Sequence, residues 1–165
     1  MDFLIILLVT CVAVFVLAKP IARFPLAFYV LSIVLVIALF AGSAGYLGTY
    51  WKPLIILLQR CMLPLALFTI VMFIGAFSKS SWVGKKLRPI RAELSIIACL
   101  LCLGHVCQYL TPYLSRALEG SMSASMATSF AISMGLLVLL VVLGITSFGF
   151  VKKHMSTALW KNVQR

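Results

Sequence analysis

Residues 91–110 read RAELSIIACLLCLGHVCQYL and set one imidazole, His105, near the far end of an otherwise apolar stretch. The chain has only two histidines. In a soluble core a lone histidine is usually a hydrogen-bonded packing residue. Inside a bilayer, ionisable side chains are rare and by default mark a pathway or a cofactor. Gly104 beside it removes a side chain, which suits either the approach of a flat ligand or tight packing of a neighbouring helix. The spacing Cys99-x-x-Cys102-x-x-His105 invites a metal-site reading, and helix geometry argues against it. Positions i, i+3 and i+6 spread three side chains over about 120° and 9 Å of helix. A single zinc ion, about 2.0–2.3 Å from each ligand, is out of reach of all three. The C-x-x-C-H attachment pattern fails as well, because the histidine comes too late.

Depth selects the other candidates. At 1.5 Å per residue, His105 lies about 21 Å from Arg91 and about 10 Å from Pro112, in the outer half of its span. Arg60, Cys61 and Met62 lie about 10–14 Å inward of Pro53, and Met134 about 10 Å inward of Ala127. Arg60 either pairs with an anionic cofactor group such as a propionate or snorkels outward. Met62 and Met134 carry thioethers that can ligate a metal, although such residues more often pack. Glu93 is placed to pair with Arg88 or Arg91 at the interface. His154 follows the last span and is too far in depth to share a metal ion with His105.

The elements that must hold these residues are set by composition. Of 165 residues, 64% are hydrophobic and 10% charged, against about a quarter charged in a water-soluble domain. Several apolar runs reach the roughly 20 residues of helix that cross a 30 Å hydrocarbon core. IVLVIALF and LLVLLVVLGI are apolar all round, unlike barrel strands, which alternate with period two. A helix satisfies its own backbone in lipid. The expected fold is an all-α membrane protein, a five-helix transmembrane bundle with spans 3–18, 26–50, 53–78, 90–113 and 127–150. It forms one domain over residues 1–151, followed by a basic tail over 152–165. The opening MDFLIILLVTCVAVFVLAK has no basic n-region and reads as a retained anchor.

Charge sets the orientation. Lys19, Arg23, Lys79, Lys85, Lys86, Arg88, Arg91, Lys152, Lys153, Lys161 and Arg165 fall on one side, eleven against Lys52, Arg60 and Arg116 on the other. Basic loops stay cytoplasmic, so the N-terminus is expected outside and the C-terminus in the cytoplasm. The net charge of +11 then becomes a one-sided field. It suits anionic lipid head groups or an acidic cytosolic partner. Nucleic acid is not an expected partner, since the basic residues lie in short loops beside lipid without interleaved stacking aromatics.

Other function classes find little material. Carboxylates number three, Asp2, Glu93 and Glu119, too few for general acid–base chemistry. No H-E-x-x-H helix, P-loop or nucleophile elbow occurs. Paired acidic residues and an evident repeat, which a small transporter would show, are missing. The five cysteines, Cys11, Cys61, Cys99, Cys102 and Cys107, lie inside apolar runs and read as small apolar fillers.

Three pieces of the chain resemble the ferric reductase-like transmembrane domain family, nearest to the haem-binding membrane subunit of periplasmic methionine sulfoxide reductase systems. Arg91, Leu94, Ser95, Ala98, His105 and Tyr109 are similar to an R-x-x-L-G-x-x-A run with a histidine and then a tyrosine, Ser95 replacing the glycine. Gly48-Thr49 before an apolar helix, and Thr146-Ser147 before a basic stretch and Trp160-x-x-x-Gln164, complete the match over about residues 45–165. The resemblance implies a b-type haem ligated by His105, the one residue it carries over as a ligand; depth along the spans sets Gly104 and Arg60 beside it and Met134 or Met62 as a remote second axial ligand. It implies electron transfer across a bacterial cytoplasmic membrane to an extracytoplasmic acceptor, fed by a flavin or quinone on a partner. The family's next histidine falls at Gln164, and its later one lies on a further helix. A partner subunit or additional helix, or a different axial ligand, would complete such a site. The alternative is a non-catalytic scaffold subunit of a larger complex.

Overall fold

The computed structural model describes residues 3–78, 80–147 and 154. Among the described residues seven α-helices follow in order: α1 (Phe3–Arg23), α2 (Pro25–Ser43), α3 (Lys52–Gln59), α4 (Met62–Ala76), α5 (Trp82–Leu87), α6 (Arg91–Leu118) and α7 (Ala124–Ser147). Short 3-10 turns at Thr49–Trp51 and Arg88–Ile90 lead into α3 and α6. No strand occurs among the described residues. Among the described residues four helical segments are long and apolar enough to cross a membrane, or five when α3 and α4, bent by 46°, count as one broken span.

The helix ends have local causes. Only Phe24 separates α1 from α2, and Pro25 opens α2 at a position where its missing N–H is no loss. Hydropathy alone carries the second span to residue 50, but α2 stops at Ser43. There Gly45 takes φ +85°, and Tyr46 and Gly45 donate to the carbonyls of Ala41 and Gly42 at 3.0 and 3.1 Å. This is the Schellman stop, in which a left-handed residue closes the last turn. Gly120, φ +66°, ends α6 in the same way, with Ser121 and Gly120 donating to Arg116 and Ala117.

The third span is expected continuous over 53–78 and instead breaks at Arg60 and Cys61. Pro64 supplies the reason. It has no N–H to offer the Arg60 carbonyl, and its ring crowds that same carbonyl four residues back. The chain closes α3 by donating the Arg60 and Cys61 amides to Ile56 and Leu58, each at 3.0 Å. Cys61 takes the left-handed position, φ 57°, that glycine holds in the other two stops, and is the only non-glycine with positive φ among the described residues. A side chain in that conformation costs about 1–2 kcal/mol.

The chain divides into two compact units, Met1–His105 and Val106–Arg165. In the first, α1 buries Ile6, Thr10, Val14, Ala18 and Ile21, a stripe at nearly four-residue spacing. That stripe meets α4, whose Pro64, Ala66, Leu67, Ile70, Val71 and Ile74 are buried. Leu94, Ala98 and Leu101 of α6 share the same core with Leu39 of α2 and Leu58 of α3. Hydroxyls are satisfied by folding back on their own helix, as in Thr10 to the Ile6 carbonyl (2.7 Å) and Ser32 to Phe28 (2.8 Å). At one end Lys86 lies over the stacked rings of Phe15 and Trp82, 5.4 and 5.6 Å from their centroids.

In the second unit, Tyr113 stacks on Phe130 with centroids 6.2 Å apart. Ser123 caps α7 by accepting the Met126 amide at 3.3 Å. No described residue of α7 is buried. The tail residues Lys152, Lys153, Lys161 and Arg165, together with Asp2 and Lys79, lie outside the described residues.

Candidate cofactor site at a broken helix

His105 continues the core stripe of α6. Leu94, Ala98 and Leu101, each 3% exposed or less, are followed at the next helical step by the imidazole. Steps of four, three and four residues keep all four on one face. The ring is half-buried and hydrogen-bonds the backbone of Gln59, the last residue of α3. The break explains why that acceptor is open. The Arg60 and Cys61 amides go back to Ile56 and Leu58, so the turn does not use the Gln59 carbonyl.

A second contact ties the break to α6. The Cys61 and Cys102 sulfurs lie 3.9 Å apart, 41 residues distant in sequence, and both residues are half-buried. Arg60 is exposed at the break, and Met62, half-buried, opens α4 immediately after it. Met134 is half-buried on α7 in the second unit.

Gly104 is a close-packed position. A Cβ built there would stand 2.5 and 2.8 Å from the two methyls of Val36 on α2. Of the two readings open from sequence, this contact matches helix packing, and the space of the missing side chain is already taken. The residues offer a haem iron a nitrogen donor, since a ligating imidazole ordinarily gives its other ring nitrogen to a carbonyl or carboxylate. They offer a flat ring no slot at Gly104. No group of three or more His, Cys, Asp or Glu side chains able to hold a metal ion occurs among the described residues.

The remaining motif residues fall as follows. The Arg91 guanidinium lies 3.7–3.9 Å from the position a Gly75 Cβ would take. Ser95 donates to the Arg91 carbonyl at 3.0 Å, and Tyr109 lies in the second unit. Gly48 and Thr49 are exposed at the turn that leads into α3. Trp160 and Gln164 lie outside the described residues, as do the side chains of Thr146 and Ser147. His154 is exposed.

Glu93 differs from expectation. It accepts a hydrogen bond from the Tyr29 hydroxyl of α2, while Arg88 donates to the Phe77 carbonyl at the end of α4. Arg88 thereby serves a helix C-terminus, where a cation opposes the dipole. Sequence reasoning missed Gln59 and the Cys61–Cys102 contact. The signal was present in QRCMLP, a polar pair four to five residues before a proline in an apolar span.

No family model, curated protein or solved structure matches this chain.

Proposed function

We propose that the chain is a membrane-embedded electron-transfer component with a b-type haem held by His105, passing electrons to an extracytoplasmic acceptor. It would lie in a bacterial cytoplasmic membrane with five spans, counting α3 and α4 as one, its N-terminus outside and its basic face toward the cytoplasm. The observation that carries this reading is the half-buried His105 imidazole, hydrogen-bonded to the Gln59 backbone inside an apolar helix. That bond orients the ring in the way a carbonyl partner orients a ligating imidazole. A bound haem supplies a one-electron iron couple. The chain's own part is to fix the ring at that depth, exclude water with apolar helices and carry Arg60 where it can meet an acidic substituent. A flavin or quinol donor on a partner would approach the basic side, and a partner subunit or further helix would complete the axial ligation.

The Val36 side chain beside Gly104 favours a second reading, a non-catalytic scaffold subunit whose His105 serves only the Gln59 contact. Visible spectroscopy separates the two. Protein purified from haem-replete cells is expected to be red, with a Soret band that shifts and sharpens on dithionite. His105→Ala should abolish that band while Gln108→Ala retains it. A colourless wild-type preparation would leave the scaffold standing and remove the electron carrier.

A further inference from the structure

Cys61 and Cys102 stand apart from the other cysteines by geometry. Their sulfurs touch at 3.9 Å across two helical segments. Cys61 also holds the left-handed residue of a helix stop, where α2 and α6 use glycine. Backbone chemistry favours glycine at that position, so it does not account for a thiol there; the contact with Cys102 does. Both residues are half-buried. Cys61 is nine residues from the start of α3 and Cys102 eleven from the start of α6, about 13 and 16 Å along the helices. The pair therefore sits at hydrocarbon depth, away from water-soluble oxidants such as glutathione disulfide.

We propose that Cys61 and Cys102 are a redox-active dithiol that closes to a disulfide at the expense of a quinone dissolved in the bilayer. The two S–H bonds break and one S–S bond forms. The two electrons and two protons released pass to the quinone, which leaves as the quinol, one per disulfide. Quinones are the class suited to this depth, because they partition into lipid and accept both electrons and protons. A disulfide has its sulfurs about 2.05 Å apart, so closure brings together two sulfurs already in contact at 3.9 Å. The product staples α6 to the end of α3, locking the break next to the Gln59 backbone. This inference is independent of the haem, since neither sulfur is asked to ligate iron.

The test uses the full chain in phosphatidylcholine–phosphatidylglycerol nanodiscs, prereduced and then given decylubiquinone. Peptide mass spectrometry should show a Cys61–Cys102 crosslink, with one quinol formed per two thiols lost. Cys61→Gly suits the backbone at that position and keeps the fold. It should abolish both crosslink and quinone reduction, as should Cys102→Ser, while Cys99→Ser and Cys11→Ser leave both unchanged. Failure of wild-type protein to reduce the quinone, or a dominant crosslink through Cys99, would overturn the assignment. Loss of the haem band in His105→Ala with the crosslink intact would show the two proposals to be separate.

Discussion

The segment Trp82–Leu118 and helix α7 are both long enough to span a membrane, yet they differ in what they bury. The first is the less apolar of the two and buries 44% of its most apolar stretch; α7 is more apolar and buries none of the corresponding stretch. In water the order would be reversed, because apolar surface is driven inward. In lipid the tails are as apolar as leucine, so helices associate through close packing and small or polar contacts. α6 carries Ala98, Gly104, Cys102 and His105, which give it something to pack and to bond. α7 folds the hydroxyls of Thr128 and Ser133 back on its own carbonyls at 2.9 and 2.8 Å.

The sharpest way to break that contrast is a matched pair of substitutions. Ala98 is wholly buried and Leu136 is 61% exposed. Ala98→Leu should destabilise by about 1–3 kcal/mol through overpacking, while Leu136→Ala should stay within about 0.5 kcal/mol. Thermal unfolding midpoints in one detergent compare them, and equal losses would erase the distinction between the two segments. A smaller effect refines it at the α2–α6 contact. Gly104→Ala should cost about 1–2 kcal/mol, because β-branched Val36 cannot swing clear of the new methyl. Val36→Ala in the same chain should recover most of that loss, as a double-mutant cycle of touching residues requires. Smallest is the helix stop. Cys61→Gly should stabilise by roughly 0.5–1 kcal/mol by removing a left-handed side chain, whereas Cys61→Val should destabilise, β-branching being worst at positive φ.

Much of the fold was legible because each signal is local. Lengths of apolar sequence marked the segments able to cross a membrane, whereas the stops at Gly45 and Gly120, whose hydrogen bonds close within six residues, are local signals that hydropathy passed over in running the second span to residue 50. The face of α6 that meets the core follows from the spacing of Leu94, Ala98 and Leu101. The break at Arg60 and Cys61 was readable in principle, since Pro64 acts on the carbonyl four residues before it. Hydropathy averaging hides it, because proline and cysteine do not interrupt an apolar window. The partners of Glu93 and His105 were not legible. Tyr29 and Gln59 lie 64 and 46 residues away, and nothing local distinguishes them from other polar residues within reach.

Sequence alone determined that this chain is helical and apolar enough to cross a membrane, for the reason that lipid leaves a backbone few ways to satisfy itself. It also determined which chemistry-bearing residue types are scarce: two histidines, three carboxylates and five thiols in the whole chain. Only the tertiary structure decided which of them meet. The bend of 46° between α3 and α4 sets the Gln59 backbone against His105 and the Cys61 sulfur against Cys102. The packing of α2 on α6 gives the space at Gly104 to Val36. Such contacts depend on how helices cross, and crossing is settled by side-chain shape at many positions together.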